Sequence, residues 1–209
     1  MGSSPASGGF GSVCVFCGAR SGTDPRFLAA ASSLGAELAR REARLVYGGG
    51  SVGLMGEVST SAHARGGKVL GVIPVALEPV EISGASVGEV RVVADMHERK
   101  ALMARESDAF VALPGGFGTL EELLEVITWQ QLGYHAKPVG VLNIEGYFDA
   151  FLAFLDHAVR SGFISPEARK ILVTGDSPAA LLDALEKNAT ALAARAGPPG
   201  ASEGKARVL

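Results

Sequence analysis

Residues 109–122 read Ala-Phe-Val-Ala-Leu-Pro-Gly-Gly-Phe-Gly-Thr-Leu-Glu-Glu, and residues 45–56 read Leu-Val-Tyr-Gly-Gly-Gly-Ser-Val-Gly-Leu-Met-Gly. In each stretch a short apolar run ends in a glycine-rich turn, and a longer run of helical character follows. A solid apolar run predicts a strand that is buried on both faces, which is typical of a parallel sheet. The two stretches therefore predict strand–turn–helix units of an α/β fold.

The same alternation extends through the chain on both sides of these stretches. The predicted strands are Ser12–Cys17, Leu45–Tyr47, Lys68–Ile73, Glu89–Val93, Ala109–Leu113, Val139–Leu142 and Ile171–Val173. The predicted helices are Pro25–Arg41, Leu54–Arg65, Met96–Arg105, Thr119–Leu132, Tyr147–Arg160, Ser165–Lys170 and Pro178–Arg195. A closed (β/α) barrel usually needs about 250 residues. The pattern therefore favours a Rossmann-like, doubly wound parallel sheet of about seven strands, with helices on both faces.

The composition sets limits on organisation and partners. The 209 residues carry a net charge of −3, so no basic excess is available to hold nucleic acid. We expect a single domain at 12–195, with flexible tails at 1–11 and 196–209 that are rich in Gly, Pro and Ser or Ala. The chain has no apolar run of the roughly 18 residues that a membrane span needs, and no secretory signal pattern. We therefore expect a cytoplasmic protein with no membrane partner.

The two cysteines, Cys14 and Cys17, have the Cys-x-x-Cys spacing of redox and metal motifs. They lie in a predicted buried strand, where residues three apart face opposite sides of the sheet. A second pair of ligands is also missing, as a structural zinc site would require. The sequence therefore favours two core cysteines, and we expect neither a metal nor another cofactor.

Both glycine-rich turns are predicted at the carboxyl edge of the sheet, where α/β proteins bind ligands. A helix N-terminus at such a turn offers N–H groups and partial positive charge to a phosphate, and Gly49, Gly50, Gly115 and Gly116 would let the backbone approach it. The strand after the first turn ends in Gly-Val-Ile-Pro without the acid that would bind the ribose of NAD. The Gly-Lys-Ser/Thr of a Walker A loop is also absent. A nucleoside monophosphate or sugar phosphate fits best, and the alternative is that the glycines only pack helix against strand.

Three charged residues stand out near the turns. Thr119-x-x-Glu122 matches a capping box, so Glu122 is either a helix cap or a carboxylate at the floor of the cleft. Arg99 and Lys100 follow Asp95, the predicted N-cap of their helix, although cations are disfavoured at a helix start. This pair points to an anionic ligand, or else both side chains reach away into solvent.

The string Pro114-Gly115-Gly116-Phe117-Gly118-Thr119-x-x-Glu122 resembles the PGGxGTxxE motif of the LONELY GUY (LOG) family. The resemblance extends from Val13 to about Leu185. It includes Val-Tyr-Gly-Gly-Gly at 46–50, Gly-Leu-Met-Gly at 53–56, Gly-Val-Ile-Pro at 71–74, Met-His-Glu-Arg-Lys at 96–100 and the run 120–131. Phe117 stands where many relatives carry Tyr, which suggests that a hydroxyl is not required there.

The resemblance implies an enzyme that activates cytokinins directly. Such an enzyme hydrolyses the N-glycosidic bond of N6-modified adenosine 5′-monophosphates, and of AMP if it accepts it, to free base and ribose 5-phosphate. It also implies a homodimer whose site is completed across the interface. Arg99 and Glu122 would be the catalytic pair. The implied substrate contacts are Glu81, Arg99, Lys100, Gly115, Gly116, Phe117, Gly118, Thr119, Leu120, Glu121, Glu122 and Thr128.

Two other functions compete with this expectation. A carrier of the same fold would bind a nucleotide or cofactor without cleaving it, and the presence of both Arg99 and Glu122 argues against that. A pyridoxal-phosphate decarboxylase, the older label of the family, would need a Schiff-base lysine in the cleft. Lys100 is the only candidate near the predicted site.

Overall fold

The computed structural model describes residues 9–77 and 87–196, and it contains a seven-stranded, entirely parallel sheet. The strands are β1 (Ser12–Phe16), β2 (Arg44–Tyr47), β3 (Val69–Pro74), β4 (Glu89–Val93), β5 (Ala109–Ala112), β6 (Val139–Leu142) and β7 (Leu172–Gly175). The helices are α1 (Pro25–Arg40), α2 (Gly53–Ala64), α3 (Met96–Arg105), α4 (Phe117–Leu132), α5 (Asp149–Arg160), α6 (Pro166–Arg169) and α7 (Pro178–Ala196), with a 3₁₀ turn at Ile144–Gly146. The predicted order of elements is confirmed, and most boundaries differ by one or two residues.

The strand order, β4-β3-β2-β1-β5-β6-β7, determines where a ligand can enter. The chain starts at the central strand β1, builds outward to β4, and then crosses back to add β5 on the other side of β1. The connections that leave β1 and β5 therefore diverge at the carboxyl edge of the sheet. Such a switch point is the usual ligand crevice of an open α/β sheet.

Each face of the sheet is covered by its own helices, which confirms the predicted doubly wound architecture. One core joins alternate strand residues such as Val15 and Leu45 to α1, α2 and α7. The other joins Phe110 and Val141 to α3, α4 and α5. Cys17 belongs to the first core and Cys14 to the second, and both thiols are free and buried. The two cysteines therefore face opposite sides of the strand, as predicted.

Local sequence signals determine where two of the helices begin. The Asp24 side chain accepts from the Arg26 N–H at the start of α1, and Pro25 occupies the first helical position. Asp95 accepts from the N–H groups of His97 and Glu98 at the start of α3, each at 2.9 Å. The N-cap predicted at Asp95 is confirmed, and both caps depend only on residues within one turn.

The structure excludes the capping-box alternative at Thr119 and Glu122. The N-cap of α4 is Gly116, and Thr119 is the third residue of the helix. The Thr119 side chain is buried against Gly115, where its hydroxyl occupies the space that a Cβ atom would need. The helix begins two residues earlier than predicted because Gly116 takes the capping position, for which glycine ranks about equal to threonine.

The ends of the predicted domain differ slightly from expectation. Phe10, assigned to the N-terminal tail, packs against the core of the α1 face, and the Gly11 carbonyl accepts from the Arg44 N–H at 2.9 Å. At the other end α7 extends to Ala196. The remaining tail residues, 1–8 and 197–209, lie outside the described residues. Within the described part of the chain, no helix is both long and apolar enough to cross a membrane.

Candidate active site

A cleft of about 530 Å³ opens at the switch point between β1 and β5. Its volume lies in the usual range for sites that bind small molecules. The loop after β1, the turn after β5 and the first turns of α3 and α4 form most of its wall. The predicted site residues that line it are Arg99, Gly115, Gly116, Gly118, Thr119 and Glu122.

The start of α4 provides a place for an anion. Its N-cap, Gly116, has no side chain, and none caps the first turn. A Cβ atom at Gly116 or Gly118 would meet no protein atom within 4 Å, so both backbones face open space. The N–H groups and the partial positive charge of a sixteen-residue helix are therefore accessible from the cleft.

The turns after β1 and β5 are in direct contact beneath this anion site. The Gly18 N–H donates to the Pro114 carbonyl at 3.0 Å. A Cβ atom at Gly115 would lie 2.9 Å from the Gly18 nitrogen, closer than such atoms approach in proteins. Glycine at both positions allows the two connections to meet and close the floor of the cleft.

The first glycine-rich turn is arranged differently from the second. The Leu54 N–H, at the start of α2, donates to the Gly18 carbonyl at 3.0 Å, and Gly53 packs against Ala19 and Arg20. The start of α2 is therefore covered by the loop that follows β1. Gly49 and Gly50 are buried and do not line the cleft. Their assignment to substrate binding stays a prediction.

Arg99 reaches the cleft from the first turn of α3 and is only 5% exposed. Its guanidinium donates to the Gly48 carbonyl at 3.0 Å and lies 3.7 Å from the Met96 sulfur. The Gly48 carbonyl fixes the orientation of this buried guanidinium before any ligand arrives. A cation oriented in this way can anchor a polar ligand.

Glu122 lies on α4 one turn after Gly118 and lines the same wall. Glu122 and Arg99 both lie close enough to the Cys17 thiol to affect its pKa. Burial raises the pKa of Cys17 above its usual range, the negative charge of Glu122 raises it further, and the positive charge of Arg99 lowers it. These effects favour the neutral thiol form of Cys17. Arg99 and Glu122 thus line the same cleft, and their roles as a catalytic pair stay a prediction.

Lys100 does not line the cleft. Its amine makes ion pairs with Glu121 at 2.6 Å and Glu125 at 3.0 Å, and these contacts join α3 to α4. The basic pair that suggested an anionic ligand thus divides: Arg99 faces the cleft, and Lys100 binds two carboxylates of the same chain.

Several other predicted contacts also lie away from the cleft of their own chain. Phe117 is 94% exposed, and the Thr128 hydroxyl donates to the Leu124 carbonyl on the outer surface of α4. Leu120 packs against the core of the α4 face. Glu81 lies outside the described residues. The roles of all four as substrate contacts stay predictions.

Sequence reasoning missed several parts of the wall. Among them are the loop Gly18–Gly22, Phe27 on α1, and Tyr147 just before α5. The loop had a detectable signal, because Gly18 and Gly22 follow the strand that precedes the first predicted helix. Phe27 and Tyr147 are 120 positions apart and meet edge to face at 5.7 Å. Only the folded chain brings them together.

The residues present do not fit pyridoxal phosphate. Arg20, Arg99 and Glu122 are the charged side chains among the described residues of the wall, and no lysine lines it. Lys100, the sequence's only candidate for a Schiff base, is held in ion pairs outside the cleft. Within the described ranges, no group of three or more His, Cys, Asp or Glu side chains could hold a metal ion.

The chain resembles one known protein family and several named plant proteins. Residues 55–185 match the family model described as possible lysine decarboxylase. The chain is 60% identical over 178 residues to cytokinin riboside 5′-monophosphate phosphoribohydrolase LOG7 of Arabidopsis thaliana, covering 85% of this chain and 82% of the relative. It is 59% identical over 178 residues to LOGL2 of Oryza sativa subsp. japonica, named a probable enzyme of the same activity, covering 85% of this chain and 73% of the relative.

Solved structures support the fold. A molybdenum cofactor binding protein from Rippkaea orientalis superposes with a TM-score of 0.63 at 24% identity, covering 84% of this chain and 95% of that one. The Moco carrier protein of Chlamydomonas reinhardtii gives 0.64 at 24% identity, covering 86% and 98%. At this identity the likeness concerns architecture alone. The identity to the plant enzymes, which extends over most of both chains, is what shows that this chain belongs to the LOG family of cytokinin riboside 5′-monophosphate phosphoribohydrolases.

Proposed function

We propose that the protein is a phosphoribohydrolase that cleaves the N-glycosidic bond of N6-modified adenosine 5′-monophosphates and so releases the free cytokinin base. Its closely similar relatives carry the name of this activity. The observation that carries the proposal is the meeting of Arg99 and Glu122 in one cleft, beside the open N-terminus of α4.

The cleft offers a matching surface to each part of such a substrate. The phosphate binds the N–H groups at Gly116 and Gly118, where the helix start is uncapped. The base lies toward the apolar side, where Phe27, Met96 and Tyr147 line the wall. The ribose then lies between them, within reach of Glu122.

Hydrolysis adds one water across the glycosidic bond. The bond between the anomeric carbon and the base nitrogen breaks, the water oxygen joins the carbon, and one proton goes to the base. The transition state is positive at the anomeric carbon, so the Glu122 carboxylate stabilises it and accepts a proton from the water. Arg99 holds the ribose or phosphate, or stabilises the departing base. Its fixed, buried guanidinium suits each of these roles.

The direct test is base release followed by chromatography. Purified protein and a Glu122→Gln variant are given isopentenyladenosine monophosphate, AMP and the unphosphorylated isopentenyl riboside. We expect base from the monophosphates only, with the rate in the variant lower by about a hundredfold or more. The ratio of the base-release rates from the two monophosphates shows which one the enzyme prefers, and so separates cytokinin activation from nucleotide salvage. If the folded wild type releases no base, the enzyme proposal is wrong and a carrier role replaces it.

The same proposal includes a homodimer. Phe117, Leu124 and Leu132 are exposed and lie two helical turns apart from one to the next, so they form an apolar stripe along α4. Thr128 lies beside this stripe, where it can meet a substrate only if a second copy packs there. Light scattering is expected to give twice the chain mass, and Leu124→Arg is expected to give monomers of lower activity. A monomeric, fully active wild type would contradict the dimer.

We also propose that residues 12–195 form one catalytic domain that works in the cytoplasm. Cys14 and Cys17 are both free and buried, which is compatible with a reducing compartment. Fractionation of cells with an antibody against the protein tests the location.

A further inference from the structure

The turn that leads into α4 contains two adjacent glycines, Gly115 and Gly116, and the orientation of the peptide between them decides which of its polar groups faces the start of the helix. In a trans peptide the C=O and the following N–H point in opposite directions. Glycine pairs have few steric limits on φ and ψ, so this peptide can rotate more easily than most. One orientation directs an N–H toward the start of the helix, and the flipped orientation directs a carbonyl oxygen there.

Each of the three carbonyls in the turn has a different partner. The Pro114 carbonyl accepts from the Gly18 N–H at 3.0 Å, and the Gly116 carbonyl accepts from the Leu120 N–H at 3.1 Å as the first bond of the helix. The Gly115 carbonyl lies between them and belongs to neither contact. It accepts a hydrogen bond from the Tyr147 hydroxyl at 2.5 Å.

Tyr147 is itself held firmly enough to determine that orientation. Its ring packs edge to face against Phe27 at 5.7 Å and against the buried Phe148 at 5.1 Å. The Phe148 N–H donates to the Asn143 side-chain oxygen at 2.7 Å, and the Asn143 amide donates to Asp149 at 2.7 Å. The backbone before α5 is thus anchored on both sides of Tyr147.

We propose that Tyr147 is a positioning residue that locks the Gly115–Gly116 peptide with its carbonyl turned away from the anion site. The Gly116 N–H then joins the N–H groups of the first turn of α4 in facing the phosphate. A flipped peptide would present the negative end of its dipole to a phosphate dianion. The inference rests on the proposed function, because it concerns the phosphate of the same substrate.

The test is Tyr147→Phe, which removes the hydroxyl and keeps the ring contacts with Phe27 and Phe148. We expect KM for the nucleoside monophosphate to rise about three- to tenfold, the loss of one hydrogen bond, with kcat nearly unchanged because Arg99 and Glu122 are untouched. Tyr134→Phe is the matched control, since Tyr134 is similarly exposed but lies outside the cleft. A purely structural role would instead lower thermal stability without separating KM from kcat.

A binding measurement separates this inference from the proposed activity. Ribose 5-phosphate is titrated into wild type, Tyr147→Phe and Tyr134→Phe, and the rise in melting temperature is followed. We expect Tyr147→Phe to need about three- to tenfold more ligand for the same rise. If this holds while wild type releases no base, the proposed reaction fails and the positioning role stands. An unchanged titration, or a wild type that ribose 5-phosphate does not stabilise, would overturn the positioning role.

Discussion

The Arg99 guanidinium donates to the Gly48 carbonyl at 3.0 Å, although the two residues are 51 positions apart in the chain. Gly48 has no side chain at the place where the guanidinium lies. A Cβ atom there would overlap the terminal nitrogen of Arg99, and it would stand 3.1 Å from Cζ and 3.3 Å from the Met55 sulfur. The glycine after β2 therefore leaves the space that the Arg99 guanidinium occupies in the cleft.

Gly48→Ala is expected to displace Arg99 and lower kcat/KM for the monophosphate by about a hundredfold, since small misplacements of a catalytic group have effects of this size. Gly66→Ala is the control. It has a positive φ of 78° and nothing within 4 Å, so it loses stability from backbone strain without touching the cleft. Kinetics and thermal unfolding of both variants check the prediction. Wild-type kcat/KM in Gly48→Ala would contradict it.

Gly118→Ala is expected to make the protein more stable and less active at once. Alanine is better than glycine inside a helix by up to about 1 kcal/mol, and a Cβ atom at Gly118 meets no protein atom within 4 Å. The new methyl group instead occupies the space over the first turn of α4, where we propose that phosphate binds. KM for the monophosphate should rise about tenfold while the melting temperature increases. A more stable variant with unchanged KM would place the phosphate elsewhere.

Arg20 is expected to contribute to phosphate binding. Among the charged side chains of the described wall, Arg99 and Glu122 offset each other, so Arg20 supplies the net positive charge. Arg20→Ala should raise KM for the monophosphate severalfold at low salt, with a smaller effect at high salt because the charge is exposed. Arg105→Ala removes the same charge from an exposed position outside the cleft and is expected to leave KM unchanged. Equal effects of the two variants on KM would mean that Arg20 acts only through the overall charge of the protein.

His135 is expected to make the fold sensitive to acid. Burial, with a smaller contribution from the Lys137 charge, lowers its pKa from 6.5 to about 4, and the hydrogen bond with the Val126 carbonyl only partly opposes this. Below pH 6.5 the unfolded chain therefore binds a proton that the folded chain does not. The free energy of unfolding should fall as the pH drops from about 6.5 to about 4. Urea unfolding across this window tests it, and His135→Gln should show a smaller slope.

Local rules account for the parts of the fold that the sequence predicted best. The caps at Asp24 and Asp95 each need only residues within one turn, and apolar runs such as Val139–Leu142 were placed to the residue because both faces of the strand are buried. The capping-box alternative at Thr119 was excluded because the helix starts at Phe117, after Gly116, and the Thr119 side chain is buried against Gly115 four positions earlier. Sequence spacing alone could not separate a cap from a buried residue there.

The sequence by itself determined the α/β class, the order of strands and helices, and the presence of Arg99 and Glu122 near glycine-rich turns. Those features follow from the spacing of apolar residues and from the backbone preferences of residues such as glycine and proline. Both effects act over only a few positions of the chain. Only the tertiary structure decided that Arg99 enters the cleft while Lys100 pairs with Glu121, that the start of α2 is covered while that of α4 stays open, and that Tyr147 meets Gly115. The contacts among these join segments that are distant in the chain, and the order of the strands in the sheet brings those segments together.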